Sequence, residues 1–201
     1  MASKIEIINM ALGWLGAPPI AAMSENRPEA RYASQYYFSA LETTLRGHQW
    51  NFAQKRETLA GITVPTGYGG RFAYAYAMPT GCIRAHKVLD AGENEYPFVV
   101  ALGTDNGSKV LLTNVPFAIL AYTALVEIPE LYDPTFVRVL ARRLAADLAS
   151  PILKGNAQKV QECEALYDRA LARAKLEDYQ EGEKEEEEPV SWIKARTGGR
   201  G

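Results

Sequence analysis

The sequence predicts an α+β protein with a four-helix bundle-like core, an inserted antiparallel β domain and an extended C-terminal tail. Apolar residues recur at helical spacing in residues 1–49 and again in residues 127–179. Between them, residues 50–126 contain short runs rich in β-branched and aromatic residues, separated by Gly, Pro and Asn. Residues 180–201 show neither pattern and are expected to form an extended charged tail.

The first 49 residues predict a helical hairpin. Ser3 and Glu6 have the spacing of a capping box in front of the first helix. Its apolar stripe consists of Ile5, Ile8, Leu12 and Leu15. A second helix is expected to begin at residues 26–27, with Pro28 in its first turn. Gly47 is expected to end this helix in the left-handed conformation that glycine tolerates.

The middle of the chain predicts the antiparallel β domain. The strand candidates are residues 71–78, 83–89, 98–102, 109–112 and 117–126. Asn106 and Gly107 lie between two of these runs, and this pair tolerates the positive φ angles of a hairpin turn. We therefore expect these two runs to pair with each other.

Helical spacing returns in residues 127–179, which predict a second hairpin. Asp133 is expected to cap the third helix ahead of Pro134, and the stripe of this helix stops near Pro151. Gly155 precedes the fourth helix. Because the apolar stripes of the N-terminal helices need partners, we expect the C-terminal hairpin to pack on them.

The acidic residues of the chain are concentrated at its end. The whole sequence has 22 basic and 24 acidic residues, a net charge of −2. Residues 177–201 have eight acids against four bases, a net charge of −4, which leaves +2 for residues 1–176. Trp192 and Ile193 follow the glutamate run, and no core within the chain is obviously reserved for them. We expect them to anchor on another chain.

The sequence offers no positive evidence for an enzyme. His48 and His86 lack Cys or carboxylate partners at metal-ligand spacing, so both are interpreted as structural or surface residues. Cys82 and His86 lie about 13 Å apart along a predicted strand, too far for a nucleophile and its base, so Cys82 is expected to be a buried, inert thiol. The run Gly67-Tyr-Gly-Gly70 lacks the lysine of a phosphate-binding loop and predicts a turn. We expect no catalytic residue, metal or cofactor.

Secretion and membrane insertion are disfavoured. No signal-peptide pattern opens the sequence, and its two Cys do not indicate a disulfide framework. The longest nearly uncharged stretch, residues 110–126, is interrupted by Asn114 and Pro116 and is shorter than the roughly 20 residues of a spanning helix. We expect synthesis in the cytoplasm and no membrane partner.

Nucleic-acid binding is a second hypothesis, because Arg138, Arg142 and Arg143 lie on one predicted helix and two further arginines lie near the C-terminus. The net charge of only +2 on residues 1–176 argues against a strong phosphate-binding surface. Arg138 and Arg142 are four residues apart on the face opposite the apolar stripe. This placement favours a solvated or subunit-facing role.

Five short motifs follow one another along the chain. They are Asn9-Met-Ala-Leu12 with Leu15-Gly16 and Pro19-Ile20, Trp50-Asn-Phe-Ala53 with Arg56 and Leu59, Tyr76-Ala-Met-Pro79 with Cys82-Ile-Arg84 and Val88, Asp133-Pro-x-Phe136, and Ser191-Trp-Ile193 with Ala195-Arg196. Together they resemble the tail tubular protein A family, the head-to-tail adaptor (connector, or gatekeeper) proteins of short-tailed bacteriophages. The resemblance spans nearly the whole chain.

The resemblance implies a structural virion protein that forms a dodecameric ring under the portal protein. Such a ring continues the DNA channel, through which genomic DNA passes without sequence-specific binding, and offers its lower surface to the tail nozzle protein. In the family the helices build the ring, the β part faces the tail and C-terminal segments reach the portal. The expected portal-binding residues are Val190, Trp192, Ile193, Lys194 and Arg196, and the expected subunit-interface residues are Tyr32, Tyr36, Phe38, Arg138 and Arg142. The alternative is a small DNA-binding or DNA-packaging accessory protein.

Overall fold

The computed structural model describes residues 2–103 and 107–182 and confirms the mixed α+β class. The helices of these residues are α1 (Lys4–Trp14), α2 (Pro28–Gly47), α3 (Pro134–Ile152) and α4 (Ala157–Gly182). The strands are β1 (Gln54–Thr58), β2 (Gly61–Ile62), β3 (Tyr74–Ala77), β4 (Cys82–Leu89), β5 (Glu95–Tyr96), β6 (Phe98–Leu102), β7 (Lys109–Thr113) and β8 (Ile119–Ala124). None of these helices combines the length and the apolar character that a membrane crossing requires.

The helices form one layer in which α3 is central, since α1, α2 and α4 each pack against it. Its stripe of Leu140, Leu144 and Leu148 is fully buried in the core that the helices share. The Asp133 carboxylate accepts a hydrogen bond from the Thr135 backbone N–H at 2.7 Å, so the predicted cap is confirmed. The capping box of α1 is also confirmed.

Gly47 ends α2, but not in the left-handed conformation that its position in the sequence suggested. The chain passes directly into extended backbone at His48, which has φ of −153°, and Gly47 is not among the glycines with positive φ. A Cβ at Gly47 would lie 3.5 Å from Cδ2 of Leu171, an ordinary van der Waals contact, so neither the backbone conformation nor the packing against α4 requires glycine here.

The described strands form two four-stranded antiparallel sheets, with orders β1-β8-β4-β5 and β2-β3-β7-β6. Val88 and Leu120 of the first sheet share a buried cluster with Tyr76 and Leu111 of the second, so the sheets pack face to face as a sandwich. The other face of the second sheet has its own small core under the loop before β3. The sandwich and the helical layer therefore have separate cores.

The hairpin expected around Asn106 and Gly107 is present as the pairing of β6 with β7. Phe98 pairs with Thr113 at one end of the ladder, and Leu102 pairs with Lys109 at the other. Gly107 has a φ of 68°, as a turn glycine does. Asn106 lies outside the described residues.

The helical layer and the sandwich are joined where α2 meets β4. Nη1 of Arg46 donates to the Ile83 carbonyl at 3.0 Å, and Nη1 of Arg84 donates back to the Arg46 carbonyl at 3.3 Å. These reciprocal bonds tie the last turn of the helix to the strand. They help to define the position of the sandwich relative to the helices.

Candidate interaction surfaces

A groove runs along α3 between α1 and α4, and its volume is about 760 Å³. Its apolar lining includes Met10, Trp14, Val137, Leu166 and Ala170. Its basic lining consists of Arg138, Arg142, Arg169 and Arg173. We call this surface the arginine groove. Because it is formed by three helices that are separated in sequence, it exists only in the folded chain.

Arg142 is the most enclosed of the groove arginines. It is half-buried, and its guanidinium carbon lies 3.7 Å from the centroid of the Trp14 ring. Stacking of this kind contributes about 0.5–2 kcal/mol, depending on how far the pair is desolvated. Arg142 therefore bridges α3 and α1 and is not fully solvated. This contact contradicts the solvated role expected from the sequence, and the subunit-facing role stays a prediction. Arg138, one turn earlier, is exposed.

The charges of the groove are only partly balanced. Nε of Arg173 donates to the Glu177 carboxylate at 2.7 Å, and this hydrogen bond lowers the pKa of Glu177 below its ordinary value. Among the described residues, no carboxylate lies at ion-pair distance from Arg138, Arg142 or Arg169. The groove thus presents three guanidinium groups that the described residues leave without an ion pair.

Arg143 lies on the same helix but has a structural role, because its guanidinium is paired with carboxylates of the described residues. It does not line the groove. It forms ion pairs with Asp147 on its own helix and, at 3.2 Å, with Glu164 on α4. Its guanidinium also lies 5.2 Å from the Tyr167 ring centroid. Arg143 therefore holds α4 to α3, whereas Arg138, Arg142 and Arg169 have no ion pair among the described residues.

The three aromatic residues expected at a subunit interface differ in exposure. Phe38 on α2 is 46% exposed. Tyr32 and Tyr36 are half-buried and pack against the helical core. None of the three lines the arginine groove. At 3.6 residues per turn, Phe38 lies about 200° around α2 from Tyr36, so Tyr32 and Tyr36 lie on one flank of the buried stripe and Phe38 lies on the other. The structure therefore places the expected interface residues on both flanks of α2 and in the groove that contains Arg138 and Arg142.

The sandwich carries an exposed apolar surface that the sequence analysis did not single out. Phe117 is 82% exposed and has a φ of 55°, a left-handed conformation that costs a non-glycine residue about 1–2 kcal/mol. It borders a hollow of about 270 Å³ together with Ile62 and Tyr74. Ile62 belongs to an edge strand of its sheet. The only hint in the sequence is Pro116, which restricts the residue before it and marks a turn.

The residues considered for catalysis have structural surroundings. The His48 ring packs edge-on against Trp50 at 5.1 Å. Residues 66–71 form the predicted turn around Gly67. Cys82 is half-buried, whereas the sequence predicts a buried thiol, because it is the first residue of β4 and lies next to an irregularity in strand pairing. Its partial burial raises the pKa of the thiol above the ordinary value. Within residues 2–103 and 107–182, no three His, Cys, Asp or Glu side chains are grouped as metal ligands.

His86 belongs to the junction between the helices and the sandwich. Its Nδ1 accepts from the Gln49 side-chain amide at 3.1 Å, so its Nε2 carries the proton and donates to the Thr123 hydroxyl at 2.7 Å. Burial lowers the pKa of His86 below 6.5, and the nearby positive charge of Arg84 lowers it further. The fold therefore favours the neutral ring.

We expect the stability of the subunit to fall as the pH drops below about 6.5, the ordinary pKa of histidine. In that range the unfolded chain takes up a proton at His86 before the folded chain does, so protonation favours unfolding until the pH passes below the folded-state pKa. NMR titration of the imidazole should give a midpoint below that of a model histidine. A midpoint at or above the model value would contradict this assignment, and His86→Gln should remove this part of the pH dependence.

The motifs behind the family resemblance are structural contacts where the structure describes them. The Asn9 side chain donates to the Ile20 carbonyl at 2.9 Å and accepts from its N–H at 2.8 Å, so it holds the loop after α1. The Tyr76 hydroxyl donates to the Val115 carbonyl at 2.7 Å. Trp50 and Phe136 belong to one aromatic cluster. These motif side chains therefore contribute hydrogen bonds and packing to the fold.

The expected portal-binding residues lie outside the described residues: Val190, Trp192, Ile193, Lys194 and Arg196. Their role stays a prediction. In comparisons with known proteins, no family model and no curated protein matches this chain.

Proposed function

We propose that the protein is a structural head-to-tail adaptor of a short-tailed bacteriophage, located in the virion and assembled in the host cytoplasm. In this proposal the helices form a bundle-like layer, and copies of this layer assemble into a ring of about twelve subunits beneath the portal. The C-terminal residues bind the portal, the sandwich faces the tail nozzle, and genomic DNA passes through the channel. The motif resemblance supplies the ring size and the identity of the partners.

The observation that carries the proposal is that the helical layer has two different unpartnered surfaces. A closed ring uses heterologous contacts, in which one face of each subunit meets a different face of its neighbour. The edge of α2 at Phe38 exposes an aromatic ring, and the arginine groove combines apolar side chains with cations that have no ion pair among the described residues. Aromatic rings and arginines are enriched at the centres of interfaces. These two surfaces therefore have the chemistry that a pair of ring-forming faces needs.

Electron microscopy of the protein mixed with the portal protein of the same phage tests the proposal. We expect a ring attached to one end of the portal. Portals that carry no ring under conditions in which both proteins are folded would contradict the proposal.

The variant Phe38→Glu should weaken ring formation by about tenfold or more, because a charge would be buried at an aromatic contact. Its urea midpoint should stay close to that of the wild type, since Phe38 is largely outside the core. Phe117→Glu is the matched control, because it places the same charge at an exposed phenylalanine of the sandwich. Equal ring yield from Phe38→Glu and wild type would remove this edge from the interface.

The four arginines of the groove also favour a second candidate function, a small DNA-binding or DNA-packaging accessory protein. Such a protein would bind duplex DNA with an affinity that falls steeply as the salt concentration rises. The logarithm of the association constant would fall by about 0.9 per phosphate contacted for each unit increase in the logarithm of the salt concentration. Binding to a short duplex across a salt series distinguishes the two functions. An adaptor is expected to bind the duplex weakly, with an affinity that changes little with salt concentration.

A further inference from the structure

We propose that the acidic segment of residues 183–188 occupies the arginine groove of its own chain in the free subunit. Occupancy of the groove by this segment requires neither the ring nor the portal. The segment would bring carboxylates to the three guanidinium groups that have no ion pair among the described residues.

The charges of the groove and of the segment are complementary. Four arginines and Glu177 give the groove lining a net charge of +3. The segment Glu183-Lys-Glu-Glu-Glu-Glu188 has five carboxylates and one ammonium, a net charge of −4. Guanidinium groups bind carboxylates through parallel hydrogen bonds and are weakly hydrated, so arginine suits such contacts better than lysine does.

The length of the segment matches the distance it has to cover. α4 ends at Gly182, and Arg173 and Arg169 lie nine and thirteen residues before that end. At 1.5 Å per residue, these positions are about 14 and 20 Å back along the helix. Six extended residues span about 20 Å. Part of this length is used in the reversal after Gly182, so the main chain reaches the level of Arg173, and the long arginine and glutamate side chains cover the remaining distance to Arg169.

The connection to α4 favours the segment of the same chain over that of a neighbour. A short tether keeps the segment near its groove at an effective concentration in about the millimolar range, far above that of free subunits in dilute solution. Fixing each residue in one conformation costs more free energy than an exposed ion pair returns. The segment is therefore expected to exchange among several charge contacts within the groove and to leave it when salt screens them.

Arginine modification by phenylglyoxal, mapped by mass spectrometry, tests the occupancy on the full-length protein. The tail variant carries Glu185→Gln, Glu186→Gln and Glu187→Gln. At low ionic strength Arg138 and Arg169 should react about threefold faster in this variant, which corresponds to a groove occupied roughly two-thirds of the time in the wild type. Arg31, which is exposed and outside the groove, should react equally in both proteins.

A matched control removes three charges from other surfaces through Glu42→Gln, Glu93→Gln and Glu95→Gln. These residues are exposed and outside the groove lining, so Arg138 and Arg169 should react as in the wild type. The difference between wild type and the tail variant should disappear at about 1 M salt, where the screening length is roughly 3 Å.

Three results would overturn the proposal. The first is equal reaction rates in the wild type and the tail variant, and the second is an equal acceleration in the control variant. The third is protection that rises with protein concentration over about a hundredfold range in the wild type but not in the tail variant, since that would place a neighbour's segment in the groove. The measurement uses no portal, so its failure leaves the adaptor proposal standing, and failure of the adaptor proposal leaves this one standing.

Discussion

Replacing Phe136 with alanine is expected to lower the free energy of unfolding by about 3–5 kcal/mol. Phe136 is fully buried on α3, and its ring lies 4.9 Å from that of Trp50, 4.8 Å from that of Phe52 and 5.0 Å from that of Tyr132. These rings come from the link between α2 and β1 and from the loop before α3. The Trp50 indole also donates to the Thr44 carbonyl at 2.9 Å. Because these neighbours are held in place, the cavity left by Phe136 would not close.

Urea denaturation followed by circular dichroism measures this loss. Domains of this kind are stable by about 5–15 kcal/mol, so the variant should unfold at a markedly lower urea concentration. Phe38→Ala is the matched control, because it makes the same substitution at a phenylalanine that is 46% exposed. We expect its free energy of unfolding to change by about 0.5 kcal/mol or less. A similar loss at both positions would show that the aromatic cluster is not a centre of stability.

Deleting residues 189–201 should abolish attachment to portal-bearing heads and leave the subunit folded. The clusters that form the helical core and the sandwich consist of residues up to Ala174, so the deletion removes none of them. The deleted residues include Trp192, Ile193 and Arg196, the side chains we propose as portal contacts. Copies of a weak contact arranged around a ring bind cooperatively by avidity, so losing all of them should change attachment from complete to undetectable.

Co-sedimentation with portal-bearing heads measures the attachment, and urea denaturation of the same samples tests folding. Trp192→Ala in the full chain is the control, because it removes one anchor and keeps the length and charge of the tail. Its attachment should be weakened but detectable. Attachment of the truncated protein at the wild-type level would assign portal binding to a different surface.

Local signals predicted much of the fold. The caps at Ser3 and Asp133 act through neighbouring residues, so their chemistry is visible in the sequence. Strand β1 was missed because all five of its residues are exposed and polar, which hides the alternation of a half-buried strand. It is an edge strand held by backbone pairing with β8. The two-residue strands β2 and β5 are too short to show a pattern.

The arginine groove could be predicted only in part. Arg138 and Arg142 were identified from their spacing on one helix. Arg169 and Arg173 have the same spacing on α4, but nothing local indicates that the two pairs face each other across a groove. The stacking of Arg142 on Trp14 joins positions 128 residues apart. Such contacts depend on how α1 and α4 pack on α3, which the pattern within each helix does not encode.

The pairing of β1 with β8 places the entry and the exit of the sandwich side by side, with Gln54 opposite Thr123. A unit whose two ends leave together can be exchanged or lengthened without moving the elements that precede and follow it. The helical layer would then be free to keep its packing while the sandwich diverges. If the adaptor proposal holds, one lineage could change its tail partner through residues 54–124 and retain an unchanged ring.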